Sequence, residues 1–217
     1  MFSETTYVQQ VDNAMIFITA VSAVLLIVIT ALMIYFVIRY NRKRHPIAVQ
    51  IEGNTKLEIA WTVIPIIIVM VMFWYGYIGY DTIMNPPADA YKIQVTGKMW
   101  VWEFNYPNGI KSDTLFVPYG KPIQCDLKSL DVNHSFYIPA LRFKKDVMAN
   151  RPTKVWFQPE KVGSYDIACA EYCGLNHWNM YTKLVVMPQA DYDKWYAAEF
   201  ELQKPTVATT ATAEPTK

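Results

Sequence analysis

Two stretches without a single charged residue, Asn13–Ile38 and Ile59–Tyr80, constrain this chain more than any other feature; they run for 26 and 22 residues. A helix rises 1.5 Å per residue, so about 20 residues cross the hydrocarbon core of a bilayer. Inside lipid every backbone N–H and C=O must be paired within the segment, which makes helix the expected form. The runs predict two spans, at about 14–38 and 59–80. A signal peptide would be the alternative for the first run and a buried core helix for the second. Against a signal peptide, Met1–Ala14 has no Lys or Arg and carries Glu4 and Asp12, and no small-residue cleavage site follows the run.

Charge gives the hairpin a direction. Residues 1–80 hold five cations, Arg39, Arg42, Lys43, Arg44 and Lys56, all in or beside the short connection between the runs. The positive-inside rule puts that connection in the cytoplasm. Both termini, and everything from about Asp81 onward, then lie on the periplasmic or exoplasmic side of a bacterial inner (cell) membrane, with lipid around two spans. Across the whole chain, 20 basic and 19 acidic side chains nearly cancel. No basic field is left to hold nucleic acid.

Beyond the hairpin, assigned to residues 1–87, the pattern changes to short strands separated by turns: YKIQV, MWVWEF, PIQCDL, TKVWFQP and KLVVM, with YPNG as a turn. An all-β barrel or sandwich of about 100 residues is expected. In 191–203, Trp195, Ala198 and Leu202 recur at helical spacing, predicting a terminal helix that ends a domain spanning 88–203. The Thr-, Ala- and Pro-rich stretch 204–217 reads as a disordered tail.

The chemistry concentrates in Cys169-Ala-Glu171-Tyr-Cys173-Gly-Leu-Asn-His177-Trp-Asn-Met180, which offers five potential ligands within twelve residues. Thiolate, imidazole and thioether together suit copper, whereas magnesium, calcium and manganese prefer oxygen. Of the three histidines, His45 falls on the cytoplasmic side, so only His134, 35 residues before Cys169, can join His177. A disulfide between the cysteines would leave the His and Met without a role. Zinc bound by two Cys and two His gives no role to Met180. A single blue-copper centre leaves one Cys over. Two metals bridged by both thiolates, with one histidine each and Met180 and a backbone carbonyl as weaker ligands, use every residue.

These residues resemble a known family. C-A-E-x-C-G-x-x-H-x-x-M is similar to the binuclear copper A motif of the cytochrome c oxidase subunit II family. Asp131-Val-Asn-His134-Ser resembles its D-V-x-H-S segment, and Lys145-Asp146 through Arg151 the stretch that follows. Trp100-Val-Trp102, with Phe104 and Tyr106, resembles its aromatic strand, although many relatives carry Gln where this chain has Met99. Leu57-Glu58-Ile-Ala-Trp61-Thr-Val-Ile-Pro65 resembles the start of its second span. The likeness implies a cupredoxin-like fold. It also implies two copper ions held by His134, Cys169, Cys173, His177, Met180 and the backbone carbonyl of Glu171. The Glu171 carboxylate would face a magnesium or manganese ion shared with the catalytic subunit I. Trp100 would be the exposed entry point for electrons from cytochrome c, and Glu58 the mouth of a proton-uptake route. The whole complex would oxidise cytochrome c, reduce oxygen to water and translocate protons, with the oxygen chemistry in subunit I and further subunits present.

Other residues have plainer readings. Of Trp100 and Trp102, two apart on one expected strand, one is expected in the core. Cys125 reads as a small buried hydrophobe, and Tyr172 and Trp178 as packing around the metal loop. No C-x-x-C-H occurs, so no c-type haem is attached to this sequence, and a quinol-oxidising relative would lack the copper ligands. A copper A nitric oxide reductase subunit and a membrane-anchored copper chaperone are the alternatives.

Overall fold

The computed structural model describes residues 8–204 apart from 48 and 51; beyond Lys204, the expected disordered tail lies outside the described residues. Two compact units meet at Asn85 and Pro86.

The first unit is a pair of helices, α1 (Val8–Arg39) and α2 (Thr55–Met84), of 32 and 30 residues. Their apolar side chains point outward almost throughout, from Leu26, Ile27 and Val37 to Phe73 and Trp74. Such a surface needs a lipid solvent. The helices touch at Phe17 and Tyr75, whose ring centroids are 5.2 Å apart. Asn54 caps α2, its side chain accepting from the Leu57 N–H at 3.2 Å. Both helices outrun the expected spans, taking in Asp12, Arg39, Lys56, Glu58 and Asp81. The uncharged runs mark the part that hydrocarbon must cover, and the helical backbone continues past it.

The second unit is a sandwich of ten strands: β1 (Tyr91–Lys98), β2 (Val101–Asn105), β3 (Lys111–Ser112), β4 (Leu115–Pro118), β5 (Ile123–Ser129), β6 (His134–Ile138), β7 (Phe143–Val147), β8 (Thr153–Phe157), β9 (Gly163–Cys169) and β10 (Tyr181–Met187). One sheet runs β3-β2-β1-β5-β8 and the other β4-β10-β9-β6-β7. Two pairings are parallel, β1 with β5 and β4 with β10, so the chain crosses between sheets rather than meandering. Alternation fills the core: in β5, Ile123, Cys125, Leu127 and Ser129 face inward while Gln124, Asp126 and Lys128 do not. Phe104, Phe136, Phe157, Leu115 and Ile167 from both sheets close the interior.

Helix α3 (Gln189–Gln203) starts two residues before the expected 191–203. Its last residue covers the edge strand β3: the Gln203 side-chain amide accepts from the Lys111 N–H and donates to the Lys111 C=O, both at 2.8 Å. An edge that would otherwise expose unpaired backbone is closed by one side chain.

One expectation needs correcting. Trp100 does not share a strand with Trp102; residues 99–100 form the turn between β1 and β2, and only Trp102 lies on a strand, 3% exposed in the core.

Candidate metal centre

The site lies where three segments converge. His134 opens β6 and Cys169 closes β9, and antiparallel pairing of these strands sets Phe136 opposite Cys169. The β9–β10 connection then returns over them. Its Ala170 N–H donates to the Ser135 carbonyl at 3.0 Å, and the Cys169 N–H to the Met180 carbonyl at 3.1 Å. A single short 3-10 turn, His177–Asn179, interrupts an otherwise irregular path.

Around this closure the donors face one another. The two sulfurs, Cys169 Sγ and Cys173 Sγ, are 3.7 Å apart. That is far beyond the roughly 2.05 Å of a disulfide, and both cysteines are free. Cys169 Sγ has His134 Nδ1 at 3.9 Å and the Glu171 carbonyl oxygen at 3.2 Å. Cys173 Sγ has His177 Nδ1 at 3.5 Å and Met180 Sδ at 3.8 Å. The ligand atoms of His134, Cys169 and Cys173 all lie within 4.8 Å of one another. His134 and Met180 are wholly buried and the two cysteines nearly so.

This donor set fits two soft metal ions better than one. Each sulfur has its own imidazole nitrogen and its own weak donor, while the sulfurs stay close enough to be shared. A tetrahedral zinc site would consume four donors and leave a buried thioether and a carbonyl facing the metal with no bond to make.

The tautomer of His134 is fixed by its far nitrogen, which lies 2.8 Å from Asp131 Oδ1. With Nε2–H donating to the carboxylate, the Nδ1 lone pair faces the sulfurs, as a ligating histidine requires. Burial opposes charge on His134, but its hydrogen bonds to Cys169 and Asp131 hold its pKa above the ordinary value. The Asp131 carboxyl titrates below the usual range: burial pushes it up, and hydrogen bonds from the Met99 N–H, His134 and the Val132 N–H outweigh that. Burial likewise raises the Cys169 thiol, but His134 and then the backbone of Glu171 and Ser135 bring it down to about 6. Burial and the neighbouring Cys169 push the Cys173 thiol up to about 12. Metal binding would take both sulfurs as thiolates and release the protons they hold.

The remaining expected residues scatter around this core. Trp100, half-buried in its turn, donates its indole N–H to the Cys173 carbonyl at 3.1 Å. Gly174, at φ +112°, lets the loop turn beneath it; an added Cβ would lie 3.3 Å from Trp100 Nε1. The Glu171 side chain is exposed, with Lys144 Nζ 3.5 Å from its carboxylate. Glu58 lies in the first turn of α2, in the other unit. Cys125 is fully buried. Tyr172 and Trp178 do not pack: they are 76% and 72% exposed, although the Tyr172 ring meets His177 edge-on at 5.8 Å. Asp131 stands three residues before His134, and that spacing within the D-V-x-H-S segment is the sign in the sequence of a carboxylate–histidine pair.

Fold and site together define a membrane protein with a cupredoxin-like domain that brings cysteine, histidine and methionine donors together. The model of the cytochrome c oxidase subunit II periplasmic domain matches residues 110–187, and that of the transmembrane domain matches residues 3–77. Cytochrome c oxidase subunit 2 of Alkalihalophilus pseudofirmus is 32% identical over 209 residues, covering 91% of this chain and 61% of that protein. The chain thus spans about three fifths of that relative's length. The alternative cytochrome c oxidase subunit 2 of Bradyrhizobium diazoefficiens is 29% identical over 195 residues, 75% of this chain and 70% of that one. Among solved structures, the periplasmic domain of subunit II of cytochrome oxidase of Bradyrhizobium japonicum superposes with a TM-score of 0.52 at 25% identity, covering 54% of this chain and 99% of that domain. This chain belongs to the cytochrome c oxidase subunit II family, which implies a copper A centre. These relatives favour neither the nitric oxide reductase nor the chaperone alternative.

Proposed function

We propose that this chain is the electron-entry subunit of a haem–copper cytochrome c oxidase, accepting electrons from cytochrome c and passing them to the haem of subunit I. The observation that carries the reading is the convergence of Cys169, Cys173, His134, His177, Met180 and the Glu171 carbonyl on one buried point. Two copper ions bound there would supply one-electron transfer with little change in bond length between redox states. The residues of the chain hold that geometry. Cys169, Cys173, His134 and His177 would hold the ions; each Nδ1 faces a sulfur, and strands β6 and β9 fix the distance between His134 and Cys169. Met180 and the Glu171 carbonyl are the weak outer donors.

Trp100 is the entry point for electrons: it is partly exposed, and its indole N–H reaches the backbone of the ligand Cys173 in one hydrogen bond. The Glu171 carboxylate, one bond system away from its own ligating carbonyl, is the group for a magnesium or manganese ion shared with subunit I. Glu58, at the start of α2, is the mouth of a proton-uptake path on the cytoplasmic side. The copper domain faces the periplasm, a reading supported by the cations between α1 and α2, and oxygen reduction with proton translocation takes place in the assembled complex. Copper loading of the detergent-solubilised full chain tests the centre. Two coppers per chain and a purple mixed-valence state are expected; one copper per chain, or zinc that copper cannot displace, refutes it.

A further inference from the structure

A carboxylate beside a metal-binding histidine ordinarily has one partner to orient, but Asp131 has two in different segments. Its Oδ1 accepts from His134 Nε2 at 2.8 Å, and from the Val132 N–H at 2.7 Å within its own turn. Its Oδ2 accepts from the Met99 N–H at 2.7 Å, across 32 residues of sequence. Met99 precedes Trp100 in the turn between β1 and β2. From that turn the Trp100 indole reaches the Cys173 carbonyl at 3.1 Å, and Cys173 Sγ lies 3.7 Å from Cys169 Sγ, itself beside His134 Nδ1. The contacts close a ring: His134, Asp131, Met99, Trp100, Cys173, Cys169 and back to His134.

The residue that closes this ring is itself held. The Asp131 N–H donates to Ser129 Oγ at 3.1 Å, Ser129 Oγ donates to the Val132 carbonyl at 2.5 Å, and the Leu130 N–H donates to the Gly97 carbonyl at 3.0 Å. The β5–β6 turn that carries Asp131 is thereby tied to the end of β1 independently of the carboxylate. The two short contacts of Oδ1 and Oδ2 are thus made from a fixed base.

Resting on the reading of the site as a copper centre, we propose that Asp131 is a positioning residue that registers the Trp100 turn against the metal ligand His134. One ionised carboxylate clamps the imidazole with one oxygen and the backbone of the turn with the other. Among the described residues the Met99 N–H bond is the turn's one hydrogen bond to the β5–β6 loop, and a hydrogen bond to a charged acceptor is about twice as strong as a neutral one. The distance from the indole to the centre, on which electron entry depends steeply, is therefore set by a residue outside the set of metal donors.

The test is Asp131→Asn in the full chain in detergent, with backbone amide exchange followed in the metal-free protein and the reduction potential measured in the copper-loaded one. The amide oxygen stays with His134 Nε2 and the Val132 N–H, the two donors that share Oδ1, so its NH2 faces the Met99 N–H and cannot accept from it. Exchange in the segment spanning Met99 should quicken roughly tenfold to a hundredfold, with β5 and β8 keeping wild-type protection. The potential of the centre should rise, because a negative charge beside His134 is lost. A second variant, Trp100→Phe, removes only the indole link, and Met99 must stay protected in it. Unchanged exchange at Met99 in Asp131→Asn overturns the proposal, as does loss of protection throughout the domain or loss of Met99 protection in Trp100→Phe. A wild-type chain that takes up other than two coppers would sink the copper reading while leaving the exchange result to stand for the clamp.

Discussion

Gly97→Ala isolates how tightly the proposed ligand His134 is packed. Gly97 lies in β1 opposite Trp102, and an added Cβ would sit 3.1 Å from His134 Cδ2 and 3.2 Å from Trp102 Cζ3. Carbon atoms in comfortable contact are about 3.5–4.0 Å apart, so both rings would have to retreat by roughly 0.4 Å. Neither is free to do so. His134 is 0% exposed and hydrogen-bonded to Asp131, while Trp102 is wedged edge-on between His134 and Phe136, with centroids 6.0 and 5.3 Å away. Overpacking of this kind costs about 1–3 kcal/mol. Against it stands a gain of about 0.4–1 kcal/mol, because alanine restricts the unfolded chain and the strand conformation suits it. A net loss of about 1–2 kcal/mol lowers the unfolding temperature of a domain this size by roughly 4–8 °C. Tryptophan fluorescence during heating of the metal-free full chain measures it, and copper loading reports whether the displaced imidazole still reaches the metal. A variant that melts with the wild type and gives an unchanged copper spectrum would show that His134 and Trp102 are looser than these distances require.

The ligand roles make sharper demands. Cys169→Ser or Cys173→Ser should abolish the binuclear spectrum, read by metal analysis and visible absorption, because a hydroxyl cannot replace a bridging thiolate. Met180→Leu should keep copper and shift the potential, the thioether being a weak ligand. Trp100→Phe should slow electron entry from cytochrome c in stopped-flow while copper content stays at the wild-type value; loss of copper would instead make Trp100 a structural residue. Glu58→Gln should slow oxygen reduction in the assembled complex and leave the copper spectrum intact, and turnover equal to wild type across pH would remove Glu58 from proton uptake.

The fold was legible where one physical constraint acts alone. Uncharged runs gave the helices because lipid tolerates no charge, but their ends were not legible, since helix continues through Lys56 and Glu58 into polar surroundings. Strands with one wet face declared themselves by alternation, β5 most clearly. Strand β6 did not: in His134–Ile138 every residue but Tyr137 is buried, so the period of two disappears. A strand beside His134 is expected, but its pairing with β9, which brings His134 to Cys169, is not legible. The error at Trp100 has a similar origin, for W-x-W has the spacing of one strand face, and nothing local says that a turn ends just before Val101.

The 169–180 loop shows why candidate donors can be read from sequence while their surroundings cannot. Cys173, His177 and Met180 stand at i, i+4 and i+7, the spacing of a helix face, yet a helix would spread them over about 10 Å along its axis. Donors that place an imidazole 3.5 Å and a thioether 3.8 Å from one sulfur must converge on a point, so the chain has to curl. Gly174 at φ +112° provides the bend, and only three residues, His177–Asn179, form a helical turn. A chain curled with its donors inward turns the intervening side chains outward. Tyr172, Leu175 and Trp178 are therefore exposed for the same geometric reason that Cys173 and Met180 are buried. Their apolar character gave no warning of it, because the convergence of the donors, rather than burial of apolar surface, decides which way each residue of the loop points.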